Sequence, residues 1–256
     1  MSNILALAQK ELRAYFVSPI AYVLLVFFAL LFGWFYIAGL RVMIQLSMGQ
    51  FGMGGPQVIN VNEFMIRPLL GNTAVVLLFL LPMLTMRSYA EEKRSGTIEL
   101  LLTSPLSDFQ IIIGKFVGAL ALYALMLALT FIHISIMFWY GEPEWGPIIS
   151  GYLGLFLMGS AFISIGLPIS SMTKNQIVAG VSTFAVLLLF WIINWIGDAS
   201  GSTTQTVLAY LSILEHFDDF SKGVIDTTHV TYYASFIGLG LFLTAKSMDC
   251  LLYTSP

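Results

Sequence analysis

Arg87-Ser88-Tyr89-Ala90-Glu91-Glu92-Lys93-Arg94-Ser95-Gly96-Thr97-Ile98-Glu99-Leu100-Leu101-Leu102-Thr103-Ser104-Pro105-Leu106-Ser107-Asp108-Phe109-Gln110-Ile111-Ile112-Ile113-Gly114-Lys115 is a charged interval between two long apolar segments. Placing its seven ionised groups from Arg87 to Asp108 at the centre of a bilayer, at roughly 3 kcal/mol each, would cost about 20 kcal/mol. The interval therefore lies in water, against a partner, or both. After the Gly96 break, Ile98, Leu101, Leu102 and Pro105 recur at i, i+3, i+4 and i+7, so a short helix here carries one apolar stripe that something must cover. Ser107 and Gln110 fit a capping box, with Leu106 and Ile111 as the staple that starts the next long helix.

Outward from this interval the chain is apolar on both sides. Of its 256 residues 58% are hydrophobic and 10% charged, and the mean hydropathy is +0.87, which places it among integral membrane proteins. A net charge of -3 gives no footprint for nucleic acid, and the single Cys250 excludes an internal disulfide framework. Upstream, residues 2–17 put Ile4, Leu5, Ala8, Leu12, Tyr15 and Phe16 on one face, the pattern of an interfacial amphipathic helix, before Pro19. A cleaved signal peptide competes for this region, but the apolar run Ile20 to Leu40 is too long for one.

Six spans are predicted: Ile20 to Leu40, Pro68 to Met86, Ile111 to Tyr140, Ile148 to Ser171, Ile177 to Ile196 and a shorter Val230 to Thr244. The Gly-rich connection Arg41 to Arg67 reads as a loop with one short strand at Val58 to Val61. With six spans, Lys10, Arg13, Arg87, Lys93, Arg94, Lys115, Lys174 and Lys246 share one side, and Arg41, Arg67 and Lys222 the other. The positive-inside rule then places both termini and the charged interval in the cytoplasm. The apolar run Val207 to Leu214 reaches only about 12 Å as a helix, so it and the Gly223 turn read as a re-entrant hairpin.

Ala90 to Pro105, with Gly114-Lys115, resembles the cytoplasmic loop of ABC-transporter permeases of the type-2 exporter class, most closely the gliding-motility-associated permeases and their copper-processing relatives. Lys10-Glu11-Leu12, Ser18 to Tyr22, Ser171 to Gln176, His216-Phe217 and Lys222 to Asp226 extend the resemblance from about Leu5 to Met248. The resemblance implies an all-α integral membrane fold with an N-terminal elbow helix, a cytoplasmic coupling helix and a re-entrant hairpin before the last of six spans. It implies a single permease domain over residues 1–248, while residues 249–256 depart from the basic tail expected of the class and read as a non-native or disordered tail. It also implies a bacterial inner-membrane exporter that pairs with a second permease copy and docks a separate ABC ATPase. An accessory periplasmic protein is a further implied partner. The docking residues it implies are Glu91, Glu92, Gly96, Thr97, Ile98, Glu99, Leu101, Leu102 and Pro105, with Ile98, Leu101 and Leu102 as buried anchors. ATP and magnesium belong to the partner, and no Gly-x-x-x-x-Gly-Lys-Ser/Thr loop is present in this sequence.

An ordinary solvated loop whose charges only fix topology is the plainer reading of the interval. His133, deep in the third span, is either a pathway residue or a neutral imidazole hydrogen-bonded to a neighbouring helix. His216 and Phe217 belong to the pathway or hairpin. Glu215, His216, Asp218 and Asp219 read as a solvated helix end in preference to a metal site. Trp139, Tyr140, Trp145, Trp191 and Trp195 read as interface anchors. Gly114, Gly118, Gly151, Gly154 and Gly159 read as close-packing positions. The rival function is an ion-coupled secondary transporter or channel without an ATPase, which requires buried carboxylates and matched helix breaks in two halves, and neither is evident. A membrane-embedded enzyme would need paired His or Asp at helical spacing, which His133, His216 and His229 do not supply.

Overall fold

Hydrocarbon offers no partner for backbone N–H and C=O groups, so apolar chain there closes its hydrogen bonds within helices. The computed structural model describes residues 2–48, 60–103, 105–140, 143–198 and 202–254, with backbone alone at 2, 101–102, 140, 194–198, 202–206 and 251–254. Among the described residues every regular element is helical. In order they are α1 (Ser2–Val17), α2 (Pro19–Ser47), a π turn (Asn62–Ile66), α3 (Arg67–Thr85), α4 (Ala90–Ser95), α5 (Ile98–Leu102), α6 (Asp108–Tyr140), α7 (Trp145–Met172), α8 (Gln176–Asp198), α9 (Ser202–Leu211), α10 (Ile213–Ser221) and α11 (Thr227–Thr254).

Five helical stretches are long and apolar enough to cross a membrane: Pro19–Ser47, Asn62–Ser95, Asp108–Trp139, Trp145–Met172 and Gln176–Ile193. A sixth crossing is not shown by that measure. α11 has 28 residues, about 42 Å of helix, yet it is more polar than the other long helices. The bundle is built around α7 and α3, whose most apolar windows are 78% and 67% buried inside the chain, against 28% for α2 and 22% for α8. α11 lies along α7, and α1 lies along α6. The second contact depends on the two small residues expected to allow it. A Cβ on Gly118 would fall 2.7 Å from the Glu11 Cβ, and one on Gly114 would meet the Leu7 side chain at 2.7 Å. Gly154 does the same for the Phe220 ring.

Several expectations are corrected. The first half of the proposed strand at Val58 to Val61 falls outside the described residues, and its last position, Val61, is already helical. The run Val207 to Leu214 is not one helix, because Ser212 is extended (ψ 122°) and separates α9 from α10. Trp191 is not an interface anchor, since it is buried at 8% exposure in the core, whereas Trp139 and Trp145 are exposed at 85% and 61%. The side chains of Tyr140 and Trp195 lie outside the described residues. The segment 249–254 continues α11 as helix, and Lys246 pairs with Asp249 at 3.0 Å in the last turns. No proline or glycine interrupts the chain there.

Candidate functional site

The charged interval folds into a junction. α4 ends at Gly96, whose φ of 74° is the left-handed conformation that glycine adopts without a Cβ penalty, and this lets the chain turn back into α5. At the far end the capping box forms as the spacing predicted. The Gln110 amide donates to the Ser107 hydroxyl and the Ser107 amide donates to the Gln110 side-chain oxygen, each at 3.3 Å. Ile111 is buried and Leu106 half-buried beside it.

Lys115 is the centre of this region. Its ammonium is 1% exposed and donates to Glu11 Oε1 at 2.9 Å, to Glu92 Oε1 at 2.8 Å and to the Ser88 carbonyl at 2.8 Å. An ammonium has three N–H groups, and all three are matched. The Tyr89 ring lies 5.0 Å from the same nitrogen. One buried cation thus joins α1, α4 and α6.

Three further ties hold α4. Arg87 donates to Glu91 Oε2 at 2.7 Å and to the Ser18 hydroxyl at 2.8 Å, and Ser18 in turn caps α2 at the Ile20 amide. The Ser170 hydroxyl near the end of α7 accepts from the Tyr89 and Ala90 amides at 3.1 and 3.2 Å and donates to the Met86 carbonyl at 2.9 Å. Those two amides belong to the start of α4, where helix donors have no partner in their own helix. The Tyr15 hydroxyl on α1 reaches the Leu84 carbonyl and the Ser88 hydroxyl at 3.4 Å each. Between α1 and α4 lies a groove of about 250 Å³ lined by Lys10, Tyr15, Arg87, Glu91, Glu92 and Thr97 among others.

The residues expected to dock a partner divide into two sets. Glu92 is turned inward onto Lys115, at 17% side-chain exposure, and Ile98 is 8% exposed in this chain's own core. Gly96, Thr97, Glu99 and Pro105 are exposed, and Glu91 is half-exposed beside Arg87. The Leu101 and Leu102 side chains lie outside the described residues. Two apolar residues outside the expected set are presented outward: Leu100 at 73% and Phe109 at 68% exposure. Leu100 sits off the i, i+3, i+4 stripe, so periodicity could not select it.

At the opposite end α10 is held by Ser150, whose hydroxyl donates to the Phe220 carbonyl at 2.8 Å, and by Tyr233, which donates to the Ile213 carbonyl at 2.9 Å. Phe217 is buried at 2% exposure and His216 at 3%, so His216 departs from the solvated helix end that the sequence suggested, while Glu215 is exposed there. Asp218 and Asp219 are half-exposed and paired: Arg67 to Asp218 at 2.7 Å, Lys222 to Asp218 at 2.6 Å and to Asp219 at 3.2 Å. Burial alone would raise the Asp218 carboxyl, but the hydrogen bonds from Lys222 and Arg67 outweigh it and hold it below its usual range. A cavity of about 610 Å³ opens between α3 and α10, lined by Glu63, Phe64, Arg67, Leu214 and Phe217 among others. His133 is apart from both ends. Its ring stands edge-on to Phe32 and Tyr36 of α2 at 5.3 Å each, and its buried Nδ1 has no hydrogen-bond partner, contrary to the expected bond to a neighbouring helix.

A bundle of long apolar helices with one strongly knit polar junction between its second and third long helices is the architecture of an integral membrane protein. Residues 55–193 match the ABC-2 family transporter protein, and the chain belongs to that family. The chain is 29% identical over 145 residues to the "Probable multidrug ABC transporter permease YbhR" of Escherichia coli strain K12, and equally to its O157:H7 counterpart. That match takes in 55% of this chain and spans 38% of the length of those relatives.

Proposed function

We propose that the chain is the membrane-spanning subunit of an ATP-driven ABC exporter and passes the movement of a separate ATPase subunit to its own helices. The observation that carries this reading is the junction at Lys115. A loop that only fixed topology would have no need to be tied to α1, α2, α6 and α7 at once while presenting Leu100, Glu99 and Pro105 outward. In this reading α1 is the elbow, α4 and α5 are the coupling element, and α9 and α10 are a re-entrant pair. α11 is the sixth crossing, with both termini cytoplasmic in a bacterial inner membrane. Two copies, identical or closely related, pair about a pathway, and the sparsely covered faces of α2 and α8 leave room for that partner and for lipid. Nucleotide bound between the ATPases favours one arrangement of the two docked levers over the other, which shifts the population of inward and outward states. Export is the direction that the resemblance to the type-2 exporter class implies. The finer likeness to gliding-motility and copper-processing permeases rests on the loop spacing and on the shorter matching stretches between about Leu5 and Met248.

The test is co-purification with an ABC ATPase encoded beside it, together with ATP hydrolysis after joint reconstitution. Leu100→Asp is expected to lose the ATPase at least tenfold while the chain remains folded, as expected of a buried anchor. Glu99→Lys should weaken the complex in a salt-dependent way. Retained binding in both, or solute movement by this chain unaided, overturns the proposal.

A further inference from the structure

The end of the molecule away from the junction contains a second polar construction that the proposed function does not use. His216 on α10 and His229 on α11 face each other Nδ1 to Nδ1 at 2.6 Å, while their other nitrogens are already engaged. His216 Nε2 lies 2.9 Å from the Tyr210 carbonyl, and His229 Nε2 lies 3.0 Å from Asp219 Oδ2. A carbonyl accepts only, so His216 Nε2 carries a hydrogen. Asp219 also receives Lys222, and the His229 bond first and Lys222 after it hold its carboxyl below the usual range, so it is a carboxylate and His229 Nε2 carries a hydrogen too. Two neutral imidazoles with both Nε2 protonated would then point bare lone pairs at each other across 2.6 Å. That arrangement is repulsive, and one more proton converts it into a strong charge-assisted hydrogen bond.

We propose that His216 and His229 together form a binding site for one shared proton, which fastens the α9–α10 hairpin to α11. The surroundings suit a single added charge. His216 is sandwiched against the Tyr232 ring at 3.8 Å, with the Tyr210 ring edge-on at 5.4 Å. Asp219 is the counter-charge on α10, and Lys222 shares it from the following turn. Asp218, bound to Arg67 of α3 and to Lys222, lies behind it. Glu215 on α10 and Asp226 in the following loop add negative potential at His216 and His229 respectively, and Tyr233 of α11 completes the shell. Burial first, and then the charge of His229, push His216 below the usual imidazole range, so the pair refuses a second proton. The tie is present while the shared proton sits between the two Nδ1 atoms and is lost as pH rises through its release, because the bare lone pairs then face each other. This holds whether or not an ATPase drives the chain.

The experiment is nitrogen NMR of the full chain, labelled with ¹⁵N in its three histidines and reconstituted in lipid, with His133→Gln to remove the third ring. At neutral pH the pair is expected to show three protonated ring nitrogens and one bare one. Asp219→Asn should move the loss of the shared proton to lower pH by about 1–3 units. Amide protection over Ile213–Ser221, corrected for the intrinsic pH dependence of exchange, should fall about tenfold or more in the same interval. Two bare nitrogens at neutral pH overturn the proposal. So does unchanged protection on deprotonation, or a spectrum that changes on chelation, which would make the occupant a metal ion.

Discussion

The two ends of the bundle solve the same problem with different chemistry. Each must fasten short helices to long ones. At one end α4 is fastened by Lys115, a buried ammonium with all three hydrogens matched. At the other, α9 and α10 are fastened by half-exposed ion pairs and by two histidines, the side chains that change charge near neutrality. The first end is closed by a buried ammonium whose three donors are all matched. The second can release its connections. A lever that transmits force from a docked partner needs the former, while an element that opens and closes tolerates the latter.

Removing the cation should break the comparison most. Lys115→Met leaves Glu11 and Glu92 buried without their counter-charge, and a loss of about 3–5 kcal/mol is expected, read as a lowered unfolding midpoint in detergent. A near-neutral result would mean that the junction tolerates the loss of its charge. Gly118→Leu tests the same junction sterically by driving a side chain into Glu11, and should cost about 1–3 kcal/mol with a loosened α1 visible in limited proteolysis. Ser170→Ala removes the hydroxyl shared by the Tyr89 and Ala90 amides and should cost about 0.5–2 kcal/mol, with exchange at those amides rising first. At the opposite end Lys222→Ala should cost less than about 1 kcal/mol and become undetectable in high salt, because its carboxylate partners are half-exposed. A large effect there would erase the distinction between a rigid end and a labile one.

Much of the fold was legible because its signals add along the chain. The apolar runs predicted α3, α6, α7 and α8 to within about three residues, while α2 continues as helix through Ser47 into the stretch read as a loop from Arg41; α1 covers the span of its apolar face. The capping box at Ser107 and Gln110 and the small residues at Gly114, Gly118 and Gly154 were equally local. α9 and α10 were less legible, since Ser212 and Glu215 have the Ser-x-x-Glu spacing of a helix start but sit at the end of an apolar run that reads as continuous, and the Ser212 side chain makes no capping bond. The candidate site was legible in place but not in role. Glu92 and Ile98 carry the marks of docking residues, yet both are turned into this chain. Leu100, off the stripe, is the residue presented outward.

Composition and hydropathy by themselves determined that this chain is helical and membrane-embedded, and that residues 87–115 could not lie in hydrocarbon, because transfer free energies sum residue by residue without regard to neighbours. Only the tertiary structure decided which charge meets which. Lys115 finds Glu11 across 104 positions and Ser88 across 27, and His216 finds His229 across 13. Such pairings depend on directions and distances set by helix packing, and a buried charge is stabilised or penalised according to the one partner within about 3 Å of it.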